Sequence, residues 1–493
     1  MANNWPVVKF GTLYKEPSRN GLTKPKKVRG KGLKFINMGE IFRFDRMYNI
    51  PCDRVPVTDK EKSANLLQAG DLLFARQSLI LSGAGKCSIF LGDEEDIVFE
   101  SHLIRVRLDI ERVNPEYAYY YFLSPQGRSR IAAIVEQGAG QAGIRGTDLQ
   151  NLDFPLPPKS FQDYLVSIVC PCDLKIELNK QKNQTLEQMA QALFKSWFVD
   201  FGPVFDNAFD AGLSVDDLPD ELQQRAMVRQ QHRFEAMQQD SEAIMPQTPQ
   251  STAVLQPQNQ QAAQTESDRI RGLFPNEFEQ CDDPSVGING WIPKGWKIKS
   301  VDDLNRINPE SWTKKNTPKN VMYVDLANAK NGTILEPIEY SFEDAPSRAR
   351  RVLQKHDIII GVVRPANRSF AYVNENGLTG STGFAVVRAL NDSYRAFTYL
   401  TLTNDDSITE FARIADGAAY PAIKPEDVAK ATCLYSSDEL LESFEKIVGQ
   451  LLLKKAANEQ QLKPLGTLRD TLLPKLISGE LQLSETVQSI ETK

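Results

Sequence analysis

The sequence predicts a mixed α/β (α+β) chain. Two similar globular modules are separated by two long antiparallel helices that pair as a coiled-coil spacer. Three observations carry this. The chain repeats itself, two segments carry apolar stripes at helical spacing, and the composition is that of an ordinary globular protein, 41% hydrophobic and 25% charged over 493 residues.

The repeat comes first because it sets the plan. LLQAGDLLFARQ (66–77) resembles VLQKHDIIIGVVR (352–364), both reading apolar-Leu-Gln-x-x-Asp-apolar-apolar. Ile144-Arg145-Gly146-Thr147-Asp148-Leu149 aligns with Ile423-Lys424-Pro425-Glu426-Asp427-Val428. FQDYLVSIV (161–169) matches LLESFEKIV (440–448) in apolar spacing, and TLEQMAQALF (185–194) parallels TLRDTLLPKL (467–476). Four pairs in one order give two copies of one plan, a globular module followed by a long helix.

The modules are expected over 1–158 and 295–438. The helices follow over 159–202 and 439–482, with a tail at 483–493. In the first helix Phe161, Leu165, Ile168, Cys172, Ile176, Leu186, Met189, Leu193 and Trp197 recur mostly every three or four positions. Residues 161–199 would span roughly 58 Å as a helix, with Pro171 marking a kink or a break near its start. Leu465, Leu468, Leu472 and Leu476 continue the stripe of the second helix. Two such helices bury their stripes most simply against each other. The dense end Leu193, Phe194, Trp197, Phe198 suits a partner interface as well as a core. Between the copies, 203–294 reads as a linker with an acidic, Gln/Pro-rich, partly disordered insertion. DELQQRAMVRQQHRFEAMQQ can form a polar helix, whereas 244–267 has too few large apolar residues for a core.

Net charge is −6, but its distribution is uneven: residues 203–268 hold eleven carboxylates and three arginines. Pro17–Gly39 holds seven basic residues and no acidic one, so a basic face is compatible with an acidic total. Six scattered cysteines without a C-x-x-C pair and three dispersed histidines predict a reduced, cytoplasmic protein without a metal site. No apolar run reaches membrane length.

Motifs for chemistry are weak. Gly138, Gly140 and Gly143 spell G-x-G-x-x-G, yet Pro155, Pro157 and Pro158 follow where a long helix should, and the second copy lacks the glycines. Their expected use is a turn that brings backbone close to a phosphate or groove. Gly83-Ala84-Gly85-Lys86-Cys87 falls short of a nucleotide-binding loop, with Ile80 and Cys87 at two required positions. Asn114-Pro115-Glu116-Tyr117 reads as a capped helix start. A repeated module without a repeated catalytic group is expected to read rather than to catalyse. A protein–protein scaffold with two repeated modules is the alternative.

QTLEQMAQALFKSWFVDFGPV (184–204), Phe-Pro-x-x-Phe followed by Ile-Pro-Lys-Gly-Trp (274–278, 292–296) and LRDTLLPKLISGEL (468–481) resemble the specificity subunit of type I restriction–modification enzymes. The resemblance implies a non-catalytic subunit with two target-recognition domains, each reading half of a split, asymmetric site on double-stranded DNA. The helices would set the unread gap, and the half-sites would lie about one helical turn apart on one face of the DNA. Two modification subunits with S-adenosylmethionine would supply adenine methylation. Restriction subunits using ATP and magnesium would supply translocation and cleavage. No cofactor is expected in this chain.

Base contacts cannot be carried over from the family, so candidates come from side-chain chemistry at repeat positions. In the first copy these are Lys24, Lys26, Lys27, Arg29 and the rest of the basic run to Lys34, with Arg76, Gln77, Lys86, Gln141 and Arg145. In the second they are Lys314, Lys315, Arg364, Asn367, Arg368, Tyr420 and Lys424. The spacer and partner helices would use Leu186, Met189, Leu193, Phe194, Trp197, Phe198, Leu465, Leu468, Leu472 and Leu476.

Overall fold

A computed structural model describes residues 5–138, 141–243, 266–417 and 420–481. The chain divides into two compact units, residues 1–179 with 460–493 and residues 180–459. The long helices, α1 (Lys159–Phe194) and α2 (Gln450–Ile477), each contribute one end to either unit. Helix α1 continues through Pro171.

The first unit is built on a five-stranded sheet ordered Tyr14–Asn20, Leu103–Leu108, Leu72–Ala75, Cys87–Gly92, Arg46–Tyr48. The first three pairings are antiparallel and the last is parallel. Leu72–Ala75 is buried along its whole length because the sheet is covered on both faces. One face packs on the helix Pro115–Leu123 and on apolar residues from the start of α1 and the end of α2. Asn114 caps that helix by accepting from the N–H groups of Glu116 and Tyr117, with Pro115 in the first turn. Tyr117 through Phe122 are all buried, as expected of a helix apolar all round. The other face packs on Ile36, Ile41, Met47 and Phe99, where the strands Leu33–Ile36 and Ile97–Phe99 pair in parallel.

The second unit repeats this plan. Asn305–Ile307, Phe384–Ala389, Ile358–Gly361 and Phe370–Tyr372 form a four-stranded antiparallel sheet. Asn320–Val324 and Leu378–Ser381 make the equivalent parallel pair. Equivalent backbone bonds close both: Ile144 N–H donates to the Arg76 carbonyl and Ile423 N–H to that of Val362, each at 2.9 Å.

The shared Leu-Gln-x-x-Asp segment has a structural role in both copies. Asp71 accepts from Gln68 N–H (2.8 Å) and takes both forks of Arg107 at 2.7 Å, while Arg107 also reaches Glu16. Asp357 accepts from Gln354 N–H at 2.8 Å and takes Arg388 at 2.7 and 2.9 Å, and Arg388 also reaches Glu310. Both aspartates are 1% exposed. A buried carboxylate held by a bidentate arginine and a backbone donor fixes the turn entering the central strand.

The helices run antiparallel in each unit, and the polar middle of the second helix, Lys454 to Gln461, supplies contacts between them. In the first unit Arg469 pairs with Asp173 (2.9 Å) and Asn179 donates to Gln461 (3.2 Å). In the second, Lys455 pairs with Glu187 (2.9 Å) and Asn458 donates to Asn183 (2.8 Å). The acid and the base exchange places between repeat-equivalent positions. Such polar pairs fix register.

The apolar ends belong to the cores instead, which corrects the seam expected from the stripe. Phe194, Trp197 and Phe198 lie within the second unit, with Phe198 ring centroids 4.9 Å from Phe397 and 5.0 Å from Phe444. They are therefore core rather than a partner surface. Leu186 and Leu193 are half-buried and Met189 is exposed. Leu476 is buried in the first unit, Leu465 and Leu472 are half-buried, and Leu468 is exposed.

Much of 203–294, expected as linker, also packs into the second unit. Val204, Phe205, Leu218, Leu222 and Phe274 join its core. The polar stretch forms the helix Asp220–Ala243. Its arginines neutralise nearby acids: Arg225 meets Asp200, Arg229 meets Asp206 and Arg233 meets Asp210. The disorder expected for the Gln/Pro-rich stretch falls largely on 244–265, outside the described residues, as does most of the expected tail.

Candidate nucleic-acid interface

In the first unit the described part of the glycine-rich segment belongs to a three-stranded β-ribbon. Glu136–Gln137 pairs with Ala142–Gly143, which pairs in turn with Gln77–Ser78. Gly138 N–H bonds the Gln141 carbonyl at 2.9 Å; Gly140 lies outside the described residues. A Cβ on Gly143 would sit 3.0 Å from the Arg76 carbonyl, so glycine permits this close strand approach. The helix that follows, Gly146–Gln150, has five residues. The motif thus serves a ribbon beside the central sheet, where Arg76, Gln77, Gln141 and Arg145 come together.

Their surroundings differ. Gln141 is exposed, and Arg76 is half-buried with no ion pair among the described residues. The Gln77 carboxamide oxygen lies 2.9 Å from His102 Nδ1. Arg145 meets Glu136 at 2.6 Å, both well exposed, so solvent screens the pair and leaves the guanidinium available at small cost. Lys86 is 3.0 Å from Asp45 and sits near the ring of Phe42.

The basic run divides in two. Lys24 is held by Glu61 at 2.9 Å, Arg29 by Asp53 at 3.1 Å and Glu100 at 3.5 Å, and Lys34 by the buried Asp93 at 2.8 Å. These three anchor the fold. Lys26 and Lys27 stand exposed on the turn Lys26–Val28 and form no ion pair among the described residues. The anchoring acids lie 24 to 71 positions away, so the run alone could not show which charges were engaged.

In the second unit four candidates share one loop region. Arg364 has φ +49° and its guanidinium lies 4.7 Å from the Tyr420 ring centroid, while its N–H bonds the Pro421 carbonyl. Arg368 has φ +57°, pairs with Asp405 at 2.7 Å and lies over Phe370. Two non-glycine residues in left-handed conformation within one short loop store strain that the rest of the fold must hold. Asn367, between them, is exposed. Stacking of Arg364 on a tyrosine presents a planar donor set with its rotamers restricted, as base-edge recognition requires. Lys314 and Lys315 are exposed and form no ion pair among the described residues. Lys424, the repeat partner of Arg145, is exposed and caps Pro425–Ala429 through a backbone bond to Asp427.

Sequence reasoning passed over one feature of this surface. Leu79, Ile80 and Leu81 stand in water next to Gln77. The available signal was an apolar triplet in a loop bounded by serine and glycine.

All six cysteines are free, no group of three or more ligating side chains occurs among the described residues, and none of the described helices is long and apolar enough to cross a membrane.

The two units share one α/β plan and two long helices, and each carries an arginine- and amide-bearing loop. Residues 5–188 match the family model described as "Type I restriction modification DNA specificity domain". The chain is 26% identical over 467 residues to the type I restriction enzyme HindI specificity subunit of Haemophilus influenzae, covering 91% of this chain and 94% of that one. It is 23% identical to the MjaIX specificity subunit of Methanocaldococcus jannaschii, covering 75% and 70%. A solved type I S subunit from M. genitalium aligns over 97% of both chains at 14% identity and a TM-score of 0.49. Along most of its length the chain is thus similar to type I restriction–modification specificity subunits, and residues 5–188 match the specificity domain itself.

Proposed function

We propose that this chain recognises DNA sequence within a restriction–modification system, each unit reading one half of a bipartite, asymmetric target. Lysine and arginine contacts to phosphates supply affinity and register, and the loops around Arg76–Gln77 and Arg364–Asn367 supply base discrimination. The paired long helices act as the ruler for the unread gap. Two modification subunits dock on the chain and bring S-adenosylmethionine and adenine methylation. Restriction subunits add ATP- and magnesium-dependent translocation and cleavage.

The observation that carries the reading is the pairing of a common scaffold with dissimilar loops. The Asp71–Arg107–Glu16 and Asp357–Arg388–Glu310 networks repeat, whereas the loops that leave the far end of the same strands differ in sequence. That is what an asymmetric target asks of a duplicated reader.

The test is genome-wide mapping of modified adenines with and without this gene. A split motif that disappears with the gene is the expected result. Unchanged modification refutes the reading. In binding assays the complex should lose affinity steeply and linearly on a log–log plot as salt rises; a flat dependence would favour the scaffold alternative.

A further inference from the structure

The geometry points to Leu79, Ile80 and Leu81 of the first unit as an apolar DNA contact, a wedge that enters a groove and buries against base pairs of the half-site read by that unit. This rests on the recognition reading above and adds the contact class. The three side chains are 83%, 64% and 57% exposed. Isolated apolar residues on a surface are ordinary, but three in succession at a loop tip are not.

The tip is built rather than loose. Gln77–Ser78 just before it is paired to Ala142–Gly143. Ser78 Oγ accepts from Ile80 N–H at 3.2 Å, and the Ile80 carbonyl accepts from Gly83 N–H at 3.1 Å. Gly85 N–H returns the loop to the Ala75 carbonyl at 2.8 Å. A Cβ on Gly83 would lie 2.3 Å from Ser78 Oγ and 3.2 Å from the Phe42 ring, so the loop closes tightly on its own base. The backbone therefore holds three apolar groups in water, where they cannot fold back without breaking these bonds.

What surrounds the tip selects the occupant. Arg76 and Gln77 precede it, Lys86 follows it, and Gln141 sits on the neighbouring hairpin. Cations and amides around an apolar point suit a nucleic-acid groove, where thymine methyls and opened base steps offer apolar surface among phosphates.

The second unit supplies the contrast. Between its equivalent strands, Ile358–Gly361 and Phe370–Tyr372, the loop reads Arg364-Pro365-Ala366-Asn367-Arg368 and presents no apolar tip. A docking surface for two like protein subunits would recur in both units. A surface that differs between the copies belongs to whatever differs between the half-sites.

The experiment uses the chain assembled with its modification subunits and duplexes selected by that complex from a randomised pool. Leu79→Ser with Ile80→Ser should weaken binding to the selected duplex about ten-fold or more at every salt concentration. The slope of log affinity against log salt should stay unchanged, because apolar contacts release no counterions. Reselection with the variant should relax base preference in one half-site and leave the other intact. Unchanged affinity and preference overturn the proposal. So does loss of the modification subunits on purification, which would make the tip a protein-docking surface. A parent complex that selects no sequence at all refutes the recognition reading itself, and the wedge with it.

Discussion

The two units solve one folding problem twice and carry different loops on the same scaffold. Four strands of their central sheets, their parallel strand pairs and their buried aspartate–arginine networks correspond, with Arg46–Tyr48 an added edge strand in the first unit. The loop that leaves the strands Leu72–Ala75 and Ile358–Gly361 does not: it is apolar at Leu79–Leu81 and cationic at Arg364–Arg368. Scaffold residues are tied to many partners at once, whereas a loop tip is tied to two strands. Divergence therefore accumulates where it costs the fold least.

That contrast can be broken most forcefully at the scaffold. Asp71→Ala leaves Arg107 with only the more exposed Glu16 as an acid partner and removes the acceptor of Gln68 N–H, and should destabilise the first unit by about 1.5–3 kcal/mol. Asp357→Ala should do the same to the second unit, opposite Arg388. Hydrogen exchange on the full chain should show lost protection confined to the unit that carries the substitution. A loss spread evenly over both would mean that the copies do not fold as separate units.

A smaller effect sharpens the difference between the loops. Arg364→Ala should lower DNA affinity and, if the guanidinium lies on a phosphate, reduce the salt slope by about one. If it reads a base edge, specificity should relax at one position with the slope retained. Either result separates this loop from the apolar tip of the first unit, whose loss should leave the slope alone.

The smallest expected effect is a pH dependence present in one unit only. Burial pushes the Glu445 carboxyl up from 4.5 to about 7, against the opposing pull of Ala396 N–H and Arg395. The repeat-equivalent residue in the first unit is Val166. A raised carboxyl stabilises fully below the unfolded value, and that contribution is lost as pH rises through the folded one. The second unit should thus lose stability between about pH 4.5 and pH 7 relative to Glu445→Gln. Thermal melts should place the variant above the parent at alkaline pH and level with it below about pH 4.5. Coincident curves throughout would remove the asymmetry.

Much of the plan was legible because it is written in local pattern. Phe161, Leu165 and Val169 match Leu440, Phe444 and Val448 at one constant spacing, and all six are buried. Helical periodicity and repeat order need no knowledge of distant partners. The Leu-Gln-x-x-Asp signature was visible too, but its role was not, since Arg107 and Arg388 lie 36 and 31 positions beyond their aspartates. The same limit concealed the anchoring of Lys24, Arg29 and Lys34 by remote acids. The apolar stripe misled for a related reason. Periodicity shows that a helix has a buried face but not what buries it, and here the ends of α1 and α2 enter module cores while Asn179, Asn183, Asn458 and Gln461 meet between them.

By itself, then, the sequence determined a duplicated α/β chain with two long helices, because hydrophobic period and repeat order are properties of neighbouring residues. Tertiary structure alone decided which charges are engaged in the fold, which stand exposed, and that Leu79–Leu81 is held in water. Those outcomes depend on groups brought together from far along the chain, and burial and charge pairing are set only once they meet.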